Sequence, residues 1–575
     1  MEFDALPTTR PPVLSRKYVV TSGHYLASMA GARVLEMGGN VVDAGVATGL
    51  CLNVVQPDLT NIGGVAPIIL RTAQSRVVVT ISGLGWWPKA ATIEELTKRR
   101  ADLSGGILTT VMPAAIGAWL RALAEYGTMP LGAVAAPAIE LAEEGFPVNR
   151  FLAANLASAA ARLAQWPASR EVYLSRGRTP HAGELLVQRD VGRTLRLLVE
   201  AERGHSRVAG LRAARDRFYT GEIAQRMVSL NQEMGGLLDV DDLSGFDVAV
   251  EPPVRTSYRG FDVFACGPWC QGPVVPETLN ILEGFDLQSL AHNSAESLHL
   301  IVEALKAAFA DRHAYYGDPR FVEVPIEGLL SKAYAAEWRE RIDPSRASPG
   351  MPEPGDPWRY QQATAHGPAA ARPVPLRGPQ PPDTSYLCVL DRDGNAFSAT
   401  PSDGVGGTPL VPGYGFIVSG RGHQSWADPA HPSAIAPGKR PRLSPSPGLV
   451  MKDGHVFMPY GTPGLDVQPQ AMVQFLVNLL DHGMDVQEAI EAPRVASYSF
   501  PGSSHPHPYD PGALRAEARI APAVRDALGA MGHRVAAWPA WAPGAGAVCA
   551  AALDRSEGVL AGGADPRRMA YAVGW

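Results

Sequence analysis

The order of apolar and polar positions divides the chain into stretches of different character. "HYLASMAGARVLEMGGN" places apolar residues at helical spacing and ends at Gly38-Gly39, a usual helix stop. "VVDAGVATGLCLNVVQP" is apolar on nearly every side and halts before Pro57, so it predicts a helix buried between layers. "RVVVTISGL" reads as a strand. "ESLHLIVEALKAAFADRHAYYG" predicts a long helix with charges on one face and Leu298, Ile301, Leu305 and Phe309 on the other.

From about Ser345 to Asp383 the pattern collapses into prolines, glycines and alanines. Such a stretch lacks the apolar surface needed to order itself. β structure follows. "YLCVL" is a continuous apolar run, as expected of a strand covered on both faces. "DRDGN" signals a hairpin turn and "AFSAT" the returning strand. "GLVMKDGHVFMPYG" repeats the hairpin format, and "PQAMVQFLVNLLDHGMDVQEAIEAPRV" reads as two amphipathic helical segments. Strands and helices on both sides of a proline-rich seam fit a layered α+β sandwich.

Composition narrows the function classes. The 575 residues suffice for one large domain or two or three ordinary ones. With 46% hydrophobic and 19% charged residues, the chain has the balance of a soluble globular protein. A net charge of −6 gives no reason to expect a nucleic-acid partner. No window approaches the ~18 apolar residues of a membrane span. The first residues lack the basic head and apolar core of a signal peptide, so the expectation is a cytoplasmic protein. The five cysteines are odd in number and scattered, which argues against a disulfide framework. Cys266 and Cys270 in "ACGPWCQGP" have no second ligand pair nearby and read as packing residues at a turn. Neither a metal nor a cofactor is expected.

Chemistry concentrates at the seam "PPDTSYLCVL", where Thr384 stands between the loose stretch and the apolar run. A threonine hydroxyl is a weak nucleophile and needs a base close by. If the chain is cut before Thr384, the new α-amino group, with a pKa of about 7.7–8.0, can be that base. The plainer reading is a threonine that opens a strand, a common place for it.

Other segments bear on this choice. "GGNVVDAGVATGLCLNVVQPDLTNIGG", "EYGTMPLGAVAAPAIELAEEGFPV", "FYTGEIAQRMV", "GGLLDVDDLSGF", "EALKAAFADRHAYYGDPRF", "DTSYLCVLDRDGNAFSAT", "GKRPRLSPSPGLVMKDG", "YGTPG" and "EAIEAPRV" follow in order. Together they resemble the γ-glutamyltransferase (γ-glutamyltranspeptidase) family of N-terminal-nucleophile hydrolases over nearly the whole chain. The resemblance implies a four-layer αββα sandwich and self-cleavage between Asp383 and Thr384 by an N-to-O shift. Residues 1–383 would form a large subunit ending in a flexible segment, 346–383, and residues 384–575 a small catalytic subunit. The two would make a heterodimer, with a dimer of heterodimers left open.

Site roles follow by the same resemblance. Thr384 is the implied nucleophile and Ser402 the hydroxyl bonded to it. A turn residue in "TPSDGVGG" is the plain alternative for Ser402. The implied oxyanion hole is the pair of backbone N–H groups of Gly464 and Leu465 in "GTPGLD". Leucine serves there if the turn does not demand positive φ. Ser444 falls in the family's serine pair, with Leu443 at the partner position.

The chain also departs from the family. A γ-glutamyl group carries an α-carboxylate and an α-ammonium. Ile93 stands where the family has the arginine for the first. Gln424 stands near the acidic position for the second, with Arg421 near a polar one and Asp403 beside Ser402. Lys98, Arg99 and Arg100 read as a solvated basic cluster. Trp269 and Gln271 either reshape the pocket or pack. An unpaired buried charge costs about 3–5 kcal/mol, so a glutamyl zwitterion is expected to be a poor substrate. Arg421, if it points inward, predicts an anionic acyl group. The expected function is therefore a self-processing hydrolase of an amide or related acyl bond, acting on a small molecule with an oxalyl- or oxamate-like acyl group. The alternatives are a C–C bond hydrolase of 4-alkyl-L-proline antibiotic biosynthesis, an ordinary γ-glutamyl hydrolase or transpeptidase, and an uncleaved non-catalytic scaffold. No membrane partner is expected.

Overall fold

A computed structural model describes residues 8–361, 373–376 and 384–575. Two seven-stranded sheets face each other. The first runs, in spatial order, Val13–Ser15, Val559–Ala564, Cys549–Asp554, His455–Gly461, Gly448–Lys452, Phe261–Ala265 and Val254–Tyr258. The second runs Tyr571–Gly574, Tyr18–Ser22, Leu387–Asp391, Ala396–Ala399, Ile68–Arg71, Val78–Ile81 and Val250–Glu251. In both, strands from before and after the seam are interleaved. The strand that follows Thr384 pairs on one side with Tyr18–Ser22 and on the other with Ala396–Ala399.

Strand periodicity explains why these runs are apolar throughout. Successive side chains point to opposite faces. Cys388 and Leu390 enter the cluster between the sheets, with Val19, Leu449, Met451, Cys549 and Ala551. Leu387 and Val389 point the other way, with Val20, Ile68 and Leu70, into a cluster shared with helices Tyr25–Glu36 and Val41–Val55. On the outer face of the first sheet, Val450, Met458 and Ala550 meet helices Val274–Leu282 and Val467–Leu480. Where a polar residue does stand in mid-strand it is buried and hydrogen-bonded, as Thr21 is to Gly563 O and Ser398 to Tyr386 Oη.

The helix Val41–Val55 is buried at every position, as its uniform apolarity predicts. Asn40 and Asp43 close its start with a capping box. The helix Ala295–Tyr315 also forms where expected, but its charged face does not meet solvent. Every residue except Glu296 is buried. One flank packs with Leu514, Ala516 and Leu528, the other with the outer face of the first sheet. The charges are answered inside: Lys306 pairs with Glu303 at 2.7 Å, and the Asp311 carboxylate accepts from Tyr334 Oη at 2.6 Å and Trp338 Nε1 at 2.9 Å. Periodicity marks a polar face but not what lies against it.

The proline-rich stretch is docked at its head. The turn Pro357–Tyr360 buries Pro357 and Trp358 and packs on Ile326–Leu329. It orders by leaning on a neighbour, without a core of its own. Leu376 bridges to Tyr509. Asp383, expected on the far side of the cut, lies outside the described residues. No helix among the described residues is long and apolar enough to cross a membrane.

Candidate active site

Thr384 sits at the head of the central strand Leu387–Asp391, in an isolated antiparallel bridge with Ser402. Ser402 is itself held in register, donating its N–H to Val65 O at 2.9 Å and accepting from Val65 N at 3.3 Å. The two hydroxyls meet: Thr384 Oγ1 lies 2.8 Å from Ser402 Oγ, and both residues are fully buried. The next residue braces the strand. Ser385 Oγ donates to Gln56 Oε1 at 2.6 Å, and Gln56 Nε2 donates to Gly23 O at 3.0 Å. A Cβ on Gly23 would stand 2.3 Å from Ser385 Oγ, so only glycine fits there.

A second set of groups converges on Ser402 from the 3₁₀ turn Arg421–Gln424. Arg421 is fully buried; its Nη2 donates to Ser402 Oγ and its Nε pairs with Asp403 Oδ1 at 2.9 Å. Ser419 Oγ donates to the other Asp403 oxygen at 2.5 Å. A carboxylate, a guanidinium and two hydroxyls thus form one chain ending on Thr384. Asp403 adopts φ +85°, a left-handed conformation rarely taken by non-glycine residues. The arginine and Ser419 hold the carboxylate that this backbone presents.

The other end of the same turn carries Gln424. Its Nε2 donates to Ser444 Oγ at 2.8 Å and its Oε1 accepts from Ser444 N at 3.1 Å. Gln271 ties this point to the glycine-leucine turn, donating Nε2 to Ser444 O and to Leu465 O, each at 2.8 Å. Gln271 therefore braces two turns, while Trp269 packs with Val65, Leu84, Cys266, Cys270 and Leu443. The cysteines take the packing role expected of them.

The turn does demand positive φ at its leucine: Gly464 has φ +129° and Leu465 φ +51°. That conformation costs an ordinary residue roughly 1–2 kcal/mol. The condition placed on leucine from the sequence is not met, and the turn is held instead by its surroundings. Asp466, next in the chain, pairs with Arg312. Its Oδ2 accepts from Ser503 N at 2.7 Å and its Oδ1 from Ser503 Oγ at 2.5 Å. Burial raises the Asp466 carboxyl, but Arg312 and Ser503 more than offset this and keep it below the usual carboxylate range. Arg312 also donates to Gln271 Oε1 at 2.8 Å and to Pro501 O at 2.8 Å.

A cavity of about 380 Å³ opens beside these groups, lined on one side by Asp403, Gly420, His423, Leu465, Ser504 and His505, and on the other by Asp58, Asn155 and Arg162. Burial, and then the Arg421 cation, lower the His423 imidazole to about 3, so it is neutral near pH 7. Burial raises Asp58 to about 6, against the opposing hydrogen bond from Asn155 Nδ2 at 2.7 Å.

Ile93 joins none of these groups. It opens the helix Ile93–Lys98 and is half-buried against the apolar cluster of Trp87, Leu96 and Val111. That cluster reaches the site through Trp87, whose ring crowds Gly422 and whose Nε1 donates to Ser425 Oγ at 2.9 Å, and through Val111, whose N–H donates to Ser419 O at 2.9 Å. Lys98 and Arg99 pair with Glu95 at the surface. Sequence reasoning missed Ser419, Arg312, Ser503, His423 and Asp58. Their own stretches of sequence did not mark them: the helix that carries Arg312 shows a charged face, and Arg312 reads as one more charge on it.

A family model described as gamma-glutamyltranspeptidase matches residues 27–575. The chain is 34% identical, over 98% of its length and 99% of the other's, to a "Glutathione hydrolase-like YwrD proenzyme" of Bacillus subtilis (strain 168). It is 35% identical to an "Acylase ACY 1 proenzyme" of Pseudomonas sp. (strain SE83), over 96% of this chain and 93% of that one. An "Oxamate amidohydrolase proenzyme" of Klebsiella pneumoniae is 28% identical, over 96% of this chain and 97% of that one. Among solved structures, LmbA2991HD superposes with a TM-score of 0.89 at 36% identity, covering 99% of this chain and all of that one. A cephalosporin acylase from Bacillus halodurans does so with 0.86 at 29% identity, covering all of this chain and 99% of that one.

Proposed function

Since this chain belongs to the gamma-glutamyltranspeptidase family, we propose that it is a self-processing acyl hydrolase whose pocket takes an anionic acyl group in place of a γ-glutamyl group. The fold is an αββα sandwich in four layers. The chain cuts itself between Asp383 and Thr384, leaving residues 1–383 and 384–575 as its two subunits. Thr384 Oγ1 then attacks the substrate carbonyl, and the freed α-amine of the same residue takes the proton and returns it to the leaving group. Ser402 orients the nucleophile. The backbone N–H groups of Gly464 and Leu465 hold the oxyanion. Water releases the acyl group from the ester.

The observation that carries this reading is the Thr384–Ser402 hydroxyl pair at 2.8 Å, with Arg421 donating to Ser402. It brings a cation to the hydroxyl that touches the nucleophile. Nearby, Gln424 and Ser444 satisfy one another, while Ile93 packs in a separate apolar cluster. No group at the family's two clamp positions answers an α-carboxylate or an α-ammonium. The likeness to an oxamate amidohydrolase supports the same substrate class.

A denaturing gel tests processing: two bands are expected, at roughly two-thirds and one-third of 61.1 kDa. A full-length band that persists after long incubation would overturn it. Specificity is read by comparing ammonia release from oxamate with anilide release from a γ-glutamyl anilide. Faster glutamyl turnover would show that the pocket is an ordinary γ-glutamyl one.

A further inference from the structure

At the helix Ala295–Tyr315, outside the lining of the cavity, three buried ligand-bearing groups converge. His299 and Glu303 are four residues apart on that helix and so share a face. His533 enters from the turn after the helix Pro522–Ala530. One ligand atom from each residue lies within 4.8 Å of the other two. His299 Nδ1 is 2.9 Å from His533 Nε2, and His299 Nε2 is 2.9 Å from the carbonyl of Asp343.

That carbonyl can only accept, so His299 Nε2 carries the ring proton and Nδ1 presents its lone pair toward His533. Metal-binding imidazoles are commonly fixed in this way, by a backbone carbonyl on the far nitrogen. The histidine pair by itself is an incomplete polar network, because the buried Nδ1 of His533 meets no hydrogen-bond partner. Lys306 stands at the edge, its Nζ donating to Glu303 Oε1 at 2.7 Å and to Ser348 O at 2.9 Å. Ser348 N donates to Glu303 Oε2 at 3.1 Å.

We propose that His299, Glu303 and His533 form a binding site for a divalent transition ion of the zinc class. Two imidazoles and a carboxylate suit such ions and leave a coordination position open. The Lys306 ammonium competes with the ion for the same carboxylate, so Lys306 sets the affinity. His299 and Glu303 precede residue 383 and His533 follows it, so a bound ion ties the segments on either side of the seam.

The test uses the full chain, stripped with a chelator and titrated with Zn²⁺ by calorimetry and with Co²⁺ by visible absorbance. A saturable uptake of one ion per chain is expected, with d–d bands for Co²⁺ and a Tm raised by Zn²⁺. His533→Ala is expected to abolish the bands and the Tm rise while leaving acyl release unchanged. Lys306→Met is expected to tighten binding by about tenfold or more. No saturable uptake, or uptake equal in His533→Ala, would mean a closed hydrogen-bond network only and overturn the proposal. So would looser binding in Lys306→Met. The uptake, absorbance and Tm readouts do not depend on whether the chain is cleaved or active.

Discussion

Arg312 and Arg421 are both fully buried, and each pairs with an aspartate that lies at or beside a non-glycine residue of positive φ. Around Arg312 the network is directed at fixed structure: Asp466, the Gln271 amide and the Pro501 carbonyl. The stacked rings of Phe309 and Phe500 lie against the guanidinium, at 4.4 and 5.2 Å. Around Arg421 the network ends on a hydroxyl that touches the proposed nucleophile, and its aspartate lines a cavity. The same ion pair therefore serves as a brace in one place and as part of the proposed reactive surface in the other. What differs is whether the last acceptor is backbone or a group that has chemistry to do.

The largest effect belongs to the end of the Arg421 chain. Thr384→Ala is expected to leave a single full-length band and to lower acyl release by more than about a thousand-fold. Release of acid product near the wild-type rate would break the comparison at its root. Next come the arginines themselves. Arg312→Met strands a buried carboxylate and should cost about 3–5 kcal/mol of stability, read by denaturant unfolding. Arg421→Met should cost less stability, since Ser419 still holds Asp403 and the cavity admits water to it. It should lower activity by roughly a hundred-fold or more, the loss of a charged hydrogen bond to the hydroxyl that orients the nucleophile. Equal stability losses with equal activity losses would erase the distinction drawn between them.

Much of the fold was legible because strand and helix periods are local. The hairpin "YLCVLDRDGNAFSAT" and the buried helix Val41–Val55 follow from their own residues. The hydroxyl pair was reached through motif order, since eighteen residues separate Thr384 from Ser402. Arg312, Asp466 and Ser503 were not reached. They are brought together from three distant segments, and each alone has an unremarkable setting in the sequence. The left-handed Leu465 was posed only as a condition, because propensity speaks against what the surrounding hydrogen bonds enforce.

Smaller changes sharpen the contrast. Leu465→Gly keeps both backbone donors, so activity should stay within about tenfold of wild type, measured as kcat/KM. A larger loss would show that the leucine side chain, not the turn, is needed. The smallest effect concerns Asp58, an acid across the cavity held by Asn155 rather than by an arginine. Burial raises it from 3.8 to about 6, so the folded state prefers the protonated form. That contribution to stability is present below about pH 4 and is lost as pH rises through about 6. Asp58→Asn should therefore remove a fall in Tm over this window. An unchanged Tm profile would show that the carboxyl is ionised throughout.

The interleaving of strands within both sheets has a consequence for mass action. Tyr18–Ser22, from before the seam, hydrogen-bonds on one side to Leu387–Asp391 and on the other to Tyr571–Gly574, both from after it. In the first sheet the edge strand Val13–Ser15 pairs with Val559–Ala564 in the same manner. Two polypeptides cut at residue 383 would share ladders and cores, not a surface. Dilution could not part them, and no pool of free subunits would exist to exchange. The dissociation rate of such a pair is the unfolding rate of the sheet, and its proper measure is a half-life in denaturant rather than a Kd.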